Sequence, residues 1–204
     1  MSRAQAAQIE TFAAASASHA WLKSAAIVLA GSALAAICAR VSIPLYFTPV
    51  PLSLAPFAVL LLGLLWSPRM AAATFVAYLT EGAIGLPVFA PSALATSGLA
   101  HLFGPTGGYL LSYPLAAMLI SYLWRRSGRN FAAALISAAV GDLVILASGA
   151  LWLAALAHFT ARTASALAVL PFLPGDALKI TAAAAIAVGT LRLCRATHSS
   201  TPVE

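Results

Sequence analysis

The feature that most constrains this chain is a succession of long apolar runs, separated by short breaks that carry charge, glycine or proline. Of its 204 residues, 62% are hydrophobic and 8% are charged, whereas a soluble domain carries about 25% charged residues. So little charge cannot coat a water-facing surface, which argues against the alternative of a soluble all-α protein with a very apolar core. We therefore predict an all-α integral membrane protein.

Six apolar runs predict six membrane-spanning helices, at residues 21–39, 52–66, 70–84, 109–124, 131–157 and 175–193. The second run is short, because a span needs roughly 20 residues. Three prolines between residues 44 and 51 exclude a continuous helix there, and residues 85–108 are predicted to be irregular. The domain organisation follows as a lead-in at 1–20, a six-helix membrane domain at 21–195 and a tail at 196–204.

The basic residues predict the orientation of the bundle. Six spans put both termini on one side, and eight of the 11 Lys and Arg residues fall on that side, against two on the other. The eight are Arg3, Lys23, Arg69, Arg125, Arg126, Arg129, Arg192 and Arg195. Because basic loops stay in the cytoplasm, we predict a cell (inner) membrane protein with both termini cytoplasmic. The net charge of +6 is thereby explained without a nucleic-acid partner.

Two further expectations concern the N-terminus and the cysteines. Residues 1–20 precede the first apolar run, so we interpret them as a cytoplasmic lead-in, with an organelle transit peptide as the alternative. Cys38 and Cys194 fall near the ends of different spans. We predict neither a disulfide nor a metal site from them.

Asp176 and Lys179 form the sharpest polar pair in the chain, because charged groups in membrane segments are costly and mark functional sites. Their spacing of three residues puts both side chains on one helix face. We expect Pro174 and Gly175 to precede the helix, with Asp176 as its cap. One interpretation is a capped helix start with a local ion pair. The other is a polar ligand site near the outer face of the membrane.

A second constellation is the turn at residues 104–109, which reads Gly-Pro-Thr-Gly-Gly-Tyr. It is either a helix start capped by Thr106, or a place where the backbone approaches a ligand and Tyr109 offers a ring and a hydroxyl. Two acids in the spans remain without an assigned role. We expect Glu81 to pair with Arg40 or to reach the interface, and Asp142 to find a partner that the sequence does not name.

Small residues follow each other at four-residue steps along the first span, at Gly31, Ala35 and Ala39. This spacing lets another helix approach closely. The stripe predicts either packing within this bundle or docking of a separate membrane subunit.

Four motifs together resemble the biotin-specific substrate-binding (S) components of energy-coupling-factor vitamin transporters. They are Pro-Val-Pro-Leu-Ser-Leu at 49–54, Gly-Leu-Pro-Val-Phe-Ala at 85–90, Gly-Pro-Thr-Gly-Gly-Tyr at 104–109 and Pro-Gly-Asp-x-x-Lys at 174–179. The resemblance covers residues 22–195 and keeps the family's order and spacing. It implies the six-helix S-component fold with cytoplasmic termini. It also implies that biotin is captured from outside and moved inward. The energy for this movement would come from a separate transmembrane coupling subunit and two ATPase subunits.

The resemblance also implies the site residues. A ligand-binding role carries over best to Asp176 and Lys179. The chemistry of biotin would let Asp176 accept from the ureido N–H groups, and Lys179 would either meet the carboxylate of biotin or steady Asp176, in which case both serve the same end of the ligand. Further candidate ligand-binding residues are Tyr109, Gly107, Ser92 and Trp152, and the spacing of Gly31, Ala35 and Ala39 makes them candidates for docking a partner subunit. The chain departs from the family at Ser-Leu-Ala (53–55), usually Thr-Leu-Gln, and at residues 91–94.

No nucleotide-binding motif is present in the sequence, and no nucleophile–base pair or metal set marks a catalytic centre. We therefore expect a transport subunit rather than an enzyme, with biotin as cargo and no cofactor. An S component for a different small vitamin and an intramembrane enzyme remain alternatives. The expected partners are biotin, membrane lipid and the coupling and ATPase subunits, and a homo-oligomer stays open.

Overall fold

The structure, a computed structural model, describes the backbone of residues 3–91 and 98–199 and the side chains of residues 21–91 and 98–197. This part of the chain folds into eight helices and one two-stranded hairpin. The elements are α1 (Arg3–Arg40), β1 (Ser42–Ile43), β2 (Leu52–Ser53), α2 (Ala55–Leu65), α3 (Pro68–Ala83), α4 (Leu99–Leu102), α5 (Gly107–Arg126), α6 (Phe131–Ala157), α7 (Ala161–Ala168) and α8 (Leu173–Ser199).

The six predicted spans correspond one to one to α1, α2, α3, α5, α6 and α8, and the short α4 and α7 lie in the connections. Three segments are long and apolar enough to cross a membrane by themselves, namely Trp21–Arg40, Phe131–Ala157 and Leu173–Thr197. Many large apolar side chains point outward, including Leu143, Leu151 and Leu178 at 65%, 73% and 74% exposure. Such a surface suits lipid rather than water.

Helix α2 is the innermost element of the bundle. It has 11 residues, so it rises only about 16 Å and does not cross a bilayer alone. Its residues from Ala58 to Leu64 are all buried, and α1, α5, α6 and α8 pack around it. The prediction that the second span is short is confirmed, and the structure shows that this apolar run forms a core helix.

The start of α2 differs from its predicted position for a local reason. Leu52 and Ser53 form β2, which pairs antiparallel with β1 in the register Ser42↔Ser53 and Ile43↔Leu52. The Ser53 hydroxyl then accepts a hydrogen bond from the backbone N–H of Ala55 at 3.0 Å. The proline-rich segment is non-helical, as predicted, and the hairpin folds it back against the bundle.

Helices α5 and α6 pack antiparallel at very short range because glycines face bulky side chains. A Cβ atom at Gly108 would overlap Trp152, and one at Gly149 would overlap the ring of Tyr109. Lower in the bundle, a Cβ atom at Gly141 would overlap Ile120. These three contacts fix which level of α5 faces which level of α6.

Candidate functional site

Asp176 and Lys179 lie in the first two turns of α8 and form a buried ion pair. Lys179 Nζ lies 2.9 Å from Asp176 Oδ1, and the residues are 8% and 3% exposed. The shared helix face is confirmed. The predicted cap is wrong, because α8 already begins at Leu173 and the N–H of Asp176 donates to the carbonyl of Phe172 at 2.9 Å. The Asp176 carboxylate is therefore free to face inward.

A cavity opens in front of this pair, with a volume of about 590 Å³ including its mouth. Apolar atoms form most of its wall, although half of the lining residues carry a polar group in the side chain. The polar lining residues are Ser53, Tyr78, His101, Thr106, Tyr109, Tyr113, Asp142, Asp176 and Lys179.

The lining comes from several segments between Val50 and Lys179. The segment from Val50 to Pro56, which the hairpin holds, forms one wall, and Tyr78 of α3 and Phe172 before α8 form others. The Tyr78 hydroxyl donates to the carbonyl of Val88 at 3.1 Å, so the ring is fixed in place. The cavity therefore depends on chain segments that are far apart in the sequence.

Tyr109 lies at the start of α5 and lines the cavity, as expected of a ligand-binding residue. Its hydroxyl donates to the carbonyl of Ala168 at 2.6 Å, and its ring lies 6.2 Å from that of Phe172. The hydroxyl is thus used within the protein, and the ring is what Tyr109 presents to a ligand.

The turn before α5 is held by backbone contact and by Trp152. A Cβ atom at Gly107 would overlap the carbonyl of Leu102, so the glycine allows a close approach of two chain segments. Trp152 Nε1 donates to the carbonyl of Gly104 at 2.9 Å. Neither Gly107 nor Trp152 lines the central cavity, because both contribute to the turn behind it.

Trp152 instead lines a groove on the outer side of α5 and α6, together with Leu111 and Leu151. The expectation that its ring covers a ligand therefore finds no support in the lining of the central cavity. Thr106 lies directly before α5, as predicted, but its hydroxyl makes no capping bond because its backbone is already helical. Ser92, another expected ligand contact, lies outside the described residues.

The stripe on α1 packs within the chain. Gly31 and Ala35 are buried, Ala39 is fully buried, and a Cβ atom at Gly31 would overlap the ring of Trp66. The structure shows the alternative of packing within the bundle, and it gives no support to the prediction that these residues dock a separate subunit. The reason is that α2 and α3 cover this face of α1.

Glu81 accepts a hydrogen bond from the Ser32 hydroxyl on α1. The expected pairing with Arg40 is not seen, since among the described side chains the ion pair is that of Lys179 and Asp176. Glu81 therefore joins α1 to α3 and takes no part in the cavity.

Asp142 is the main functional candidate whose place the sequence did not reveal. It lies in α6, is 4% exposed and lines the cavity. The sequence did mark Asp142 as an acidic residue within a long apolar run, but it does not show which residues face this side chain in the bundle. Tyr78 and Tyr113 carried no signal at all, because tyrosines in membrane helices serve many structural roles.

Comparison with known proteins gives one family. The BioY family model matches residues 6–196. The chain is 36% identical over 165 residues to the probable biotin transporter BioY of Pyrococcus horikoshii, covering 81% of this chain and 94% of that protein. It is 35% identical over 178 residues to the biotin transporter BioY2 of Lactococcus lactis, covering 86% and 92%.

The fold has a matching experimental structure. The crystal structure of the S-component for biotin from an ECF-type ABC transporter superposes with a TM-score of 0.77 and 25% identity. The match covers 85% of this chain and 93% of that one. The six-helix S-component architecture expected from the sequence motifs is therefore confirmed.

Proposed function

The chain belongs to the BioY family, and on that premise we propose that it is the substrate-capture subunit of a biotin uptake transporter. The single observation that carries the proposal is a buried Asp176–Lys179 pair at the wall of a mostly apolar cavity. The related proteins are named as transporters, which supports the expectation that the chain is not an enzyme.

The functional groups of biotin match the side chains of Asp176 and Lys179. Its ureido ring has two N–H donors and a carbonyl, and its tail ends in a carboxylate. Asp176 keeps one carboxylate oxygen beyond the one bonded to Lys179, so it can accept from a ureido N–H. Lys179 holds Asp176 in place and neutralises its charge, which makes a buried carboxylate tolerable.

The cavity wall suits the apolar middle of the ligand. Leu110, Ile145 and Leu146 line it beside the rings of Tyr109 and Phe172. Apolar and aromatic surface around a few placed polar groups is the usual pattern of small-molecule sites. We infer that these residues cover the bicyclic ring and the aliphatic tail.

Transport then needs partners that supply energy. The related crystal structure is of a component of an ECF-type ABC transporter, and the present sequence has no nucleotide-binding motif. We infer that a transmembrane coupling subunit and ATPase subunits bind elsewhere than at the small-residue stripe of α1, which is covered within this chain. The basic residues around the α5–α6 connection and in the last turns of α8 support cytoplasmic termini in the cell membrane.

A growth assay tests this proposal. A biotin auxotroph without biotin transporters should grow on trace biotin when it expresses this chain together with a coupling module. Asp176→Ala and Lys179→Ala should abolish the gain while the protein still inserts. Growth that is independent of the chain, or full uptake by both variants, would refute the proposed site.

A further inference from the structure

Two buried polar atoms stand out in the part of the chain whose side chains the structure describes. Asp142 Oδ1 and Thr106 Oγ1 are buried and have no hydrogen-bond partner. Leaving a buried polar atom unpaired is costly, and more so for a charged group. Both residues line the central cavity, so the groups that would satisfy them can come from a ligand in that cavity.

The two atoms belong to opposite ends of the cavity. Gly149 of α6 faces Tyr109, and Gly141 faces Ile120 and the carbonyl of Ala116. Asp142 is therefore level with Ala116, ten residues along α5 from Thr106. At the helical rise per residue, this places Asp142 about 15 Å deeper than Thr106 along the bundle axis.

Asp142 is also the acid that the cavity leaves without a charge partner. Lys179 is the lysine of the cavity lining and its Nζ is bonded to Asp176, and the other basic side chain of the lining is His101. Within the described side chains, no ion pair to Asp142 is formed. The unpaired oxygen of this second carboxylate needs a hydrogen-bond donor, and an N–H group of a ligand can supply it.

We propose that Asp142 is a second ligand-binding carboxylate, which accepts a ureido N–H of biotin at the deep end of the cavity. This inference rests on the proposed function. Biotin offers two ureido N–H donors, so Asp176 and Asp142 each accept one. Asp142 then holds the ring end of biotin, so the carboxylate tail at the other end points outward toward the Thr106 hydroxyl.

The dimensions agree with this orientation. Biotin is about 10 Å long by covalent geometry, and a hydrogen bond at each end adds about 3 Å. The total matches the helix rise between Thr106 and Asp142. A ligand held at Asp176 and Lys179 alone would leave both buried atoms unpaired.

The test measures equilibrium binding to the purified full chain by titration calorimetry in mild detergent. Biotin and biotin amide, whose tail is neutral, are compared on the wild type, on Asp142→Ala and on the control Ser137→Ala. Ser137 is buried on the same helix, bonds to the carbonyl of Ala133 and does not line the cavity.

Asp142→Ala should weaken binding of biotin and of its amide alike, by about tenfold or more, because a charged hydrogen-bond partner is lost. Ser137→Ala should bind both normally. In the wild type, methylation of one ureido nitrogen should weaken binding, and in Asp142→Ala the same methylation should cost much less. Both monomethyl isomers are tested, since one of the two nitrogens faces Asp142.

Asp142→Asn preserves the side-chain shape and serves if the alanine variant does not fold. It should bind biotin about fivefold more weakly, because a neutral acceptor replaces a charged one. Wild-type affinity in these variants, equal methylation costs with and without Asp142, or a loss confined to biotin and absent for its amide would overturn the inference. A wild-type chain that binds no biotin would instead refute the proposed function.

Discussion

Two variants of the Asp176–Lys179 pair separate its effect on the stability of the fold from its effect on biotin binding. Lys179→Met removes the cation and leaves Asp176, which is 3% exposed, without its partner. Removing one member of a buried ion pair costs about 3–5 kcal/mol. In a chain of this size, 1 kcal/mol corresponds to a shift of about 2–4 °C in melting temperature, so we expect a decrease of roughly 6–20 °C.

The double variant Asp176→Leu with Lys179→Met replaces both charges by apolar side chains of similar size. Such replacements are often neutral or stabilising, so its melting temperature should return to within a few degrees of the wild type or exceed it. Binding of biotin should nevertheless be lost, because no acceptor or cation remains at this wall. These two results together would show that the ion pair contributes little net stability to the fold and that its role is to bind biotin.

The assay is thermal unfolding in detergent by intrinsic tryptophan fluorescence, with and without biotin. Leu178→Ala is the control, since Leu178 lies between the pair in sequence but is 74% exposed on the outer face. It should change neither binding nor the stabilisation by biotin. A double variant as unstable as the single one, or one stabilised by biotin like the wild type, would refute this reasoning.

Three further predictions concern the packing around the site. Tyr109→Phe should lower the melting temperature, because the buried carbonyl of Ala168 loses its donor, but biotin affinity should stay within a few-fold since the ring remains. Gly149→Ala should lower the melting temperature by about 5 °C through overlap with the Tyr109 ring, whereas Gly189→Ala, with open space around it, should not. Trp152→Phe should loosen the turn before α5 and weaken biotin binding less than tenfold. A loss as large as that of Asp176→Ala would mean that Trp152 contacts the ligand.

The spans were predictable from sequence because hydropathy reports the environment of a run. It does not report what covers the run, so the sequence did not show that the short second span is an 11-residue helix buried within the bundle. The helix start at Leu173 was missed for a related reason. Pro174 is tolerated in a first turn, where its missing N–H is not needed, so a proline did not mark the boundary.

The site was predictable where the spacing of two residues along one helix determines their relative position. A separation of three residues forces Asp176 and Lys179 together, whatever surrounds them. The direction of Trp152 and the neighbours of Asp142 depend on the rotation of α6 against α5, which glycine contacts between helices determine. The two interpretations of the stripe at Gly31 could not be separated from sequence, because small residues look alike whether they meet a helix of their own chain or of another.

The central claim is that the cavity beside Asp176 and Lys179 holds biotin. Titration calorimetry of biotin into the purified chain in mild detergent tests it most directly, with other vitamins as competitors. The account predicts saturable binding at one biotin per chain, no displacement by other vitamins and loss of binding in Asp176→Ala. An absence of binding, or displacement of biotin by a different vitamin of higher affinity, would contradict it.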